Sequence, residues 1–223
     1  RDNTVGPIDS SSDTAPSLAS PSVLTVTSNA DSGPGTLRWA MENARSGDTV
    51  TFDPVAFPPR NPSVIKLSSA LPRLTQGGLT IDASNVGVIL DGSATPAGTF
   101  GLLMTSNRNV LKGLQIKNFP GDGVHVSNAK DNIIGGDRTR GNGFLGEGTL
   151  ISGNGSGVGM FGPAATGNRV IGNYIGTDIT GASAFGNRNR GVSLTGGASH
   201  NLIGGTTPGE RNVISGNGWG GVV

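Results

Sequence analysis

Three residues that lie close together in the sequence, Lys117, Asp122 and His125, carry side chains that can bind or move protons. A carboxylate and an imidazole three residues apart can act as general acid and base, and a lysine can hold an anionic substrate. If this segment is a strand, alternation turns His125 outward, and Asp122 lies just before the same strand. We therefore take the three as candidate catalytic residues. The alternative is a turn aspartate beside a solvated face.

The other acidic residues are poorly placed for acid–base catalysis or calcium binding. A glycoside hydrolase needs two carboxyl groups about 5 to 9.5 Å apart, and a calcium-dependent lyase needs several acids on neighbouring strands. Asp82 and Asp91 each follow an apolar strand and are expected to form turns. With two histidines and no cysteine, we expect no metal site and no cofactor. The acids after residue 100 are predicted to share no column: Asp122, Asp131, Asp137, Glu147, Asp178 and Glu210.

The composition narrows the class of protein. Of 223 residues, 39 are glycine, most of them after residue 100, and the net charge is +1. So balanced a charge disfavours nucleic acid as a partner, and no apolar run reaches the roughly 20 residues of a membrane helix. Glycine does not recur every third residue as in collagen, and regularly spaced Val, Ile and Leu argue against disorder. We expect a repetitive domain that follows an extended arm or linker over residues 1–22.

Residues 23–52 are predicted to form a cap of strand, helix and strand over the repeats that follow. Alternating apolar residues mark the two strands. The helix is expected to have Pro34 in its first turn and Gly47 at its end. Its apolar residues recur at helical spacing and form one stripe: Leu37, Ala40, Met41 and Ala44.

From residue 53 onward, very short apolar segments alternate with Gly, Asn and Asp. The pattern apolar-x-Gly-Asn recurs at residues 151–154, 170–173 and 214–217. Self-similarity at about 20 to 25 residues, in strands too short for a hairpin sheet, is typical of a solenoid of stacked parallel strands. Gly and Asn tolerate the positive φ of the tight bends between such strands. We expect the asparagines of the pattern to form a stacked, hydrogen-bonded ladder: Asn154, Asn173 and Asn217.

Three segments carry a resemblance to a known class of protein. Residues 33–40 (GPGTLRWA), 172–178 (GNYIGTD) and 212–218 (NVISGNG) resemble bacterial extracellular right-handed parallel β-helix repeat proteins of the pectate-lyase-like superfamily. The resemblance implies an all-β fold: a right-handed, single-stranded parallel β-helix over residues 23–223, with a short N-terminal capping helix and coils over residues 53–223. The paired aspartates and the Gly-His-Gly motif of the pectin hydrolases in that superfamily are absent.

The first expected function is a non-catalytic extracellular or cell-surface protein: a structural scaffold, an adhesin or a head-to-tail filament subunit. Because no capping helix follows the last repeat before Val223, we expect self-association through the coil ends and the N-terminal arm. The alternative is a polysaccharide-active enzyme, a lyase or glycoside hydrolase, that uses an outward face; polysaccharide binding without turnover is a third hypothesis. The long loop at residues 137–149 is expected to be a surface insertion or a local recognition feature.

Overall fold

Parallel strands make up most of the regular structure. The computed structural model describes residues 20–223. Besides the strands it contains the helix α1 (Leu37–Asn43) and a single 3₁₀ turn (Pro208–Glu210) in the described part. The strands, in chain order, are β1 (Val23–Val26), β2 (Thr49–Phe52), β3 (Ser63–Lys66), β4 (Thr80–Asp82), β5 (Val88–Asp91), β6 (Leu102–Met104), β7 (Val110–Lys112), β8 (Leu114–Lys117), β9 (Asp122–Ser127), β10 (Ile133–Gly135), β11 (Leu150–Ser152), β12 (Ser156–Phe161), β13 (Arg169–Ile171), β14 (Tyr174–Ile175), β15 (Arg190–Thr195), β16 (Leu202–Ile203), β17 (Val213–Ile214) and β18 (Gly220–Val222).

The strands form three sheets, and the chain passes through them in rotation. Sheet A has the order β1-β2-β4-β7-β10-β13-β16, sheet B the order β3-β5-β8-β11-β14-β17, and sheet C the order β6-β9-β12-β15-β18. From β4 onward, each strand of sheet A is followed by one of sheet B and then one of sheet C, and we call each such triplet a repeat. This all-β arrangement with one α-helix is compatible with the parallel β-helix expected from the sequence.

One hydrophobic core is shared by the three sheets. In sheet C, the aligned residues Val124, Val158 and Val192 are completely buried, as strand alternation predicts. Burying a side chain of this size contributes roughly 1.5 to 3 kcal/mol relative to leaving it exposed. The neighbouring outward row of sheet C is formed by Leu103, His125, Gly159 and Ser193.

The helix α1 packs its apolar stripe against the first strands of sheet A, but its start differs from the prediction. Thr36 is the N-cap, and its hydroxyl accepts a hydrogen bond from the backbone N–H of Trp39 at 3.2 Å. Pro34 therefore lies before the helix and not in its first turn. The helix ends at Asn43 and not at the predicted Gly47. The backbone N–H of Ala44 donates to the carbonyl oxygen of Ala40 and closes the last turn.

The two strands beside α1 are continuous with the rest of sheet A, because β1 pairs with β2 and β2 with β4. The backbone N–H of Ser22, just before β1, donates to Oδ1 of Asp48 at 2.7 Å. Residues 1–19 of the predicted arm lie outside the described residues. Within residues 20–223, no helix has the length and apolar character needed to cross a membrane.

Candidate functional site

Asp122 and His125 meet on the outer face of sheet C. Asp122 is the first residue of β9, and its Oδ2 lies 2.7 Å from Nδ1 of His125. The imidazole also stacks on the ring of Phe100, with the ring centroids 4.4 Å apart and the planes 15° from parallel. The carboxylate and the aromatic ring together fix the orientation of His125. This leaves Nε2 of His125 as the ring nitrogen that could exchange a proton with a bound molecule.

A glycine in the next repeat makes room for this pair. Gly159 is aligned with His125 across sheet C, and a Cβ atom at that position would overlap Oδ2 of Asp122. The side chains of Asp122 and His125 thus lie over the bare backbone of β12. They are about one-fifth exposed, so solvent reaches the pair from one side only.

The third candidate, Lys117, is on a different sheet. It is the last residue of β8 in sheet B, where it is aligned with Asp91 on one side and Ser152 on the other. Burial lowers the pKa of the Lys117 ammonium, and the negative charge of Asp91 only partly offsets this effect. The structure therefore brings Asp122 and His125 together but does not place Lys117 with them.

The candidate ladder asparagines occupy two different columns. Asn154 and Asn217 lie in the column between sheets B and C, joined by Asn187: the backbone N–H of Asn154 donates to Oδ1 of Asn187 at 3.0 Å, and that of Asn187 donates to Oδ1 of Asn217 at 3.2 Å. Asn173 lies at the bend between sheets A and B, where its backbone N–H donates to Oδ1 of Asn212 at 2.8 Å. Residues 184–187 (AFGN) match the apolar-x-Gly-Asn pattern, so the sequence does carry a signal for Asn187.

A third asparagine column, at the bend between sheets C and A, was not predicted. Its side chains are hydrogen-bonded from one repeat to the next at 2.9 to 3.0 Å. Two of its members begin the recurring segment Asn-x-Ile-Gly-Gly, which the sequence shows at residues 132–136 and 201–205. The column consists of Asn109, Asn132, Asn168 and Asn201.

Sequence reasoning also missed a cleft of about 350 Å³ on the outer face of sheet A. Two ion pairs lie in it: Lys112 with Glu147, Nζ to Oε1 at 2.8 Å, and Arg169 with Glu210 at 3.5 Å. The acids were expected to share no column; Glu147 and Glu210 nevertheless occupy equivalent positions, two repeats apart. Each lies beside the last glycine of an Asn-x-Ile-Gly-Gly segment, where a Cβ atom would collide with the glutamate side chain. The recurrence of Gly-Glu after that segment is the signal that could have identified them.

The loop at residues 137–149 fastens several repeats together. On one side, the backbone N–H of Gly143 donates to the carbonyl oxygen of Ser84 at 2.9 Å, and Arg60 lies over the ring of Phe144 at 5.1 Å. On the other side, the Arg138 guanidinium lies over the ring of Tyr174 at 4.7 Å. The loop is thus a strap along the side of the sheets, which accounts for its length structurally.

Neither a scan against protein-family models nor a search of curated proteins finds a match. In the part of the chain that the structure describes, no group of three or more His, Asp or Glu side chains is placed to hold a metal ion.

Proposed function

We propose that the three sheets close into a right-handed, single-stranded parallel β-helix that acts as a non-catalytic scaffold outside the cell or on its surface. The observation that carries this proposal is the set of three asparagine columns, which link consecutive repeats at all three bends by buried hydrogen bonds. Such bonds hold each repeat in fixed register with the next, as a stiff rod requires. The location outside the cell is what the resemblance to β-helix repeat proteins implies.

The use of the carboxylates supports a structural role. The hydroxyl and backbone N–H of Thr139 lower the pKa of Asp137, and those of Thr180, together with neighbouring backbone N–H groups, lower that of Asp178. Glu147 and Glu210 are held by cations. Carboxylates that are engaged within turns and ion pairs are poorly placed to donate a proton in glycosidic bond cleavage.

The scaffold proposal is tested by shape and by turnover. Small-angle scattering and electron microscopy of the purified chain should give a stiff, elongated particle, and antibodies raised against it should label intact cells of the producing organism. Pectate and alginate, with and without calcium, should show no rise in the ultraviolet absorbance of unsaturated products. A compact spherical particle, labelling only after lysis, or turnover would contradict the proposal. The head-to-tail assembly expected from the sequence stays a prediction, which light scattering across a concentration series tests.

A second function, a polysaccharide-active enzyme, is favoured by one observation: the hydrogen-bonded pair of Asp122 and His125, oriented by Phe100. The decisive comparison is the wild-type chain against His125→Asn, which keeps a polar side chain of similar shape but cannot act as a base. Turnover lost in that variant at unchanged thermal stability would establish the enzyme and refute the scaffold. Saturable binding on a glycan array without turnover would instead favour an adhesin.

A further inference from the structure

A second cleft, of about 390 Å³, lies on the outer face of sheet B beneath a protruding hairpin. The hairpin leaves the sheet after β14 and returns through an antiparallel bridge between Thr177 and Ala184. The backbone N–H of Phe185 closes it on the carbonyl oxygen of Gly176 at 3.0 Å. A volume of this size is at the lower end for small-molecule sites.

The floor of this cleft carries two polar groups that nothing in the described part of the chain satisfies. Gln115 and Lys117 alternate with the core residues of β8, so both side chains face out of sheet B. Gln115 is only 4% exposed because the hairpin covers it. Within residues 20–223, neither its amide nor the Lys117 ammonium forms a side-chain hydrogen bond, and Lys117 has no anionic partner within 4 Å. The free amide of Gln115 therefore opens onto the cleft, where solvent or a ligand can supply its hydrogen-bond partners.

Two acids lie beside Lys117, Asp91 in the neighbouring strand and Asp178 in the wall of the cleft, and both accept hydrogen bonds from other groups. Oδ1 of Asp91 accepts hydrogen bonds from Asn118 and from the backbone of Ser93, at 2.9 and 3.1 Å. Oδ1 of Asp178, in the hairpin, accepts from the hydroxyl of Thr180 at 2.8 Å and from three backbone N–H groups of its own turn. The partly desolvated ammonium thus keeps free donors, and burial lowers its pKa more than the charge of Asp91 raises it.

Apart from Asp178, whose Oδ1 is engaged by its own turn, the remaining walls are apolar. Leu150 lies beside Gln115 in sheet B, and Ile179 and Ala184 come from the hairpin. The ring of Phe185 lies over Gly153, where a Cβ atom would be only 2.9 Å from the ring. These surfaces suit the face of an aromatic or aliphatic body rather than the hydroxyl-covered ring of a sugar acid.

We propose that the cleft between sheet B and the hairpin binds a small organic carboxylate with an apolar body. The Lys117 ammonium pairs with one carboxylate oxygen, the Gln115 amide donates to the other, and the apolar body lies against Leu150, Ile179 and Phe185. Two donors two residues apart on one strand match the two acceptors of a carboxylate. The site is independent of the Asp122–His125 pair and of the scaffold proposal.

The test is a titration of the ¹⁵N-labelled protein with benzoate, followed by chemical shifts. Saturable shifts are expected at the Gln115 side-chain amide and at the hairpin. Lys117→Met keeps the stem and removes the charge, so it should weaken benzoate binding by about tenfold or more, because a hydrogen bond to a charged group is lost. The matched control is Lys66→Met, in the same row of sheet B beyond Asp91, which should change the affinity by less than about twofold.

Two further ligands keep the test independent of any variant. Benzamide, which has the same shape without the charge, should bind to the wild-type chain about tenfold more weakly than benzoate. Galacturonate should bind more weakly than benzoate, since the walls are apolar. The proposal is overturned if benzoate causes no saturable shifts, if benzamide binds equally well, if galacturonate binds more tightly, or if the two lysine variants weaken binding to the same extent.

Discussion

Replacing Asn187 by alanine is expected to lower the free energy of unfolding by about 3 kcal/mol. The side chain is buried and sits in the middle of its column, between Asn154 and Asn217. Its Oδ1 accepts from the backbone N–H and the Nδ2 of Asn154, at 3.0 and 3.1 Å. Its Nδ2 donates to Oδ1 of Asn217 at 2.9 Å and to the carbonyl oxygen of Ile151 at 3.0 Å.

The magnitude follows from which partners are left without a bond. The carbonyl of Ile151 keeps the backbone N–H of Gly176, and Oδ1 of Asn217 keeps the backbone N–H of residue 187. Asn154 loses the acceptor for its backbone N–H and for one Nδ2 hydrogen, and a buried donor without an acceptor costs roughly 1 to 3 kcal/mol. Two such donors cost about 2 to 6 kcal/mol, toward the lower end because water can enter the space that the amide leaves. For a chain of this size, 3 kcal/mol corresponds to a fall in Tm of about 6 to 12 °C.

Urea unfolding followed by circular dichroism measures this change. The matched control is Asn61→Ala, since Asn61 is exposed and its side chain forms no hydrogen bond in the described part of the chain; its effect should stay within about 0.5 kcal/mol. If Asn187→Ala were no more destabilising than this control, the asparagine columns would not hold the repeats together, and the argument for a stiff rod would fail.

Two more outcomes are expected. Gly159→Ala should displace the Asp122 carboxylate and break its hydrogen bond to His125, which would change the ¹⁵N chemical shifts of the imidazole. The free energy of unfolding should fall by less than about 1 kcal/mol, because only the end of a side chain must move. Unchanged imidazole shifts would contradict the geometry. Asp178→Asn should lower Tm at neutral pH, and this difference should shrink as the pH falls below about 4. The reason is that hydrogen bonds, of which the one from the Thr180 hydroxyl has the largest effect, hold the folded-state pKa of Asp178 below its unfolded value. The stabilisation by Asp178 is therefore complete above its unfolded pKa and is lost as the pH falls through its folded pKa. Calorimetry at several pH values measures the difference in Tm from the wild type. A variant that leaves this turn intact should show no such pH-dependent difference.

Much of the local structure could be predicted from the sequence because it depends on neighbouring residues. The helical stripe of α1 and the inward positions of Val124 and Val158 follow from periodicity alone. The predicted start of α1 was wrong. The Thr36 hydroxyl accepts a hydrogen bond from the backbone N–H of Trp39 and makes Thr36 the N-cap, which outweighs the preference of Pro34 for a first turn.

The candidate sites were less predictable because their residues come from different strands. Lys117 and Asp122 are five residues apart in the sequence, yet one bend of the chain puts them on different sheets. Conversely, Lys112 and Glu147 are 35 residues apart and form an ion pair at 2.8 Å. The connecting loops differ in length, so no fixed period in the sequence reveals which residues of successive repeats lie side by side.

The amino-acid pattern alone indicates the kind of structure: short strands, glycine and asparagine at the bends, and one helix before the repeats. The three-dimensional structure is needed to learn which asparagines share a column, which acids form ion pairs, and on which sheet each candidate residue lies. Alternation and bend preferences act over a few residues, whereas the parallel register joins residues more than 20 positions apart, such as Leu102 and Val124.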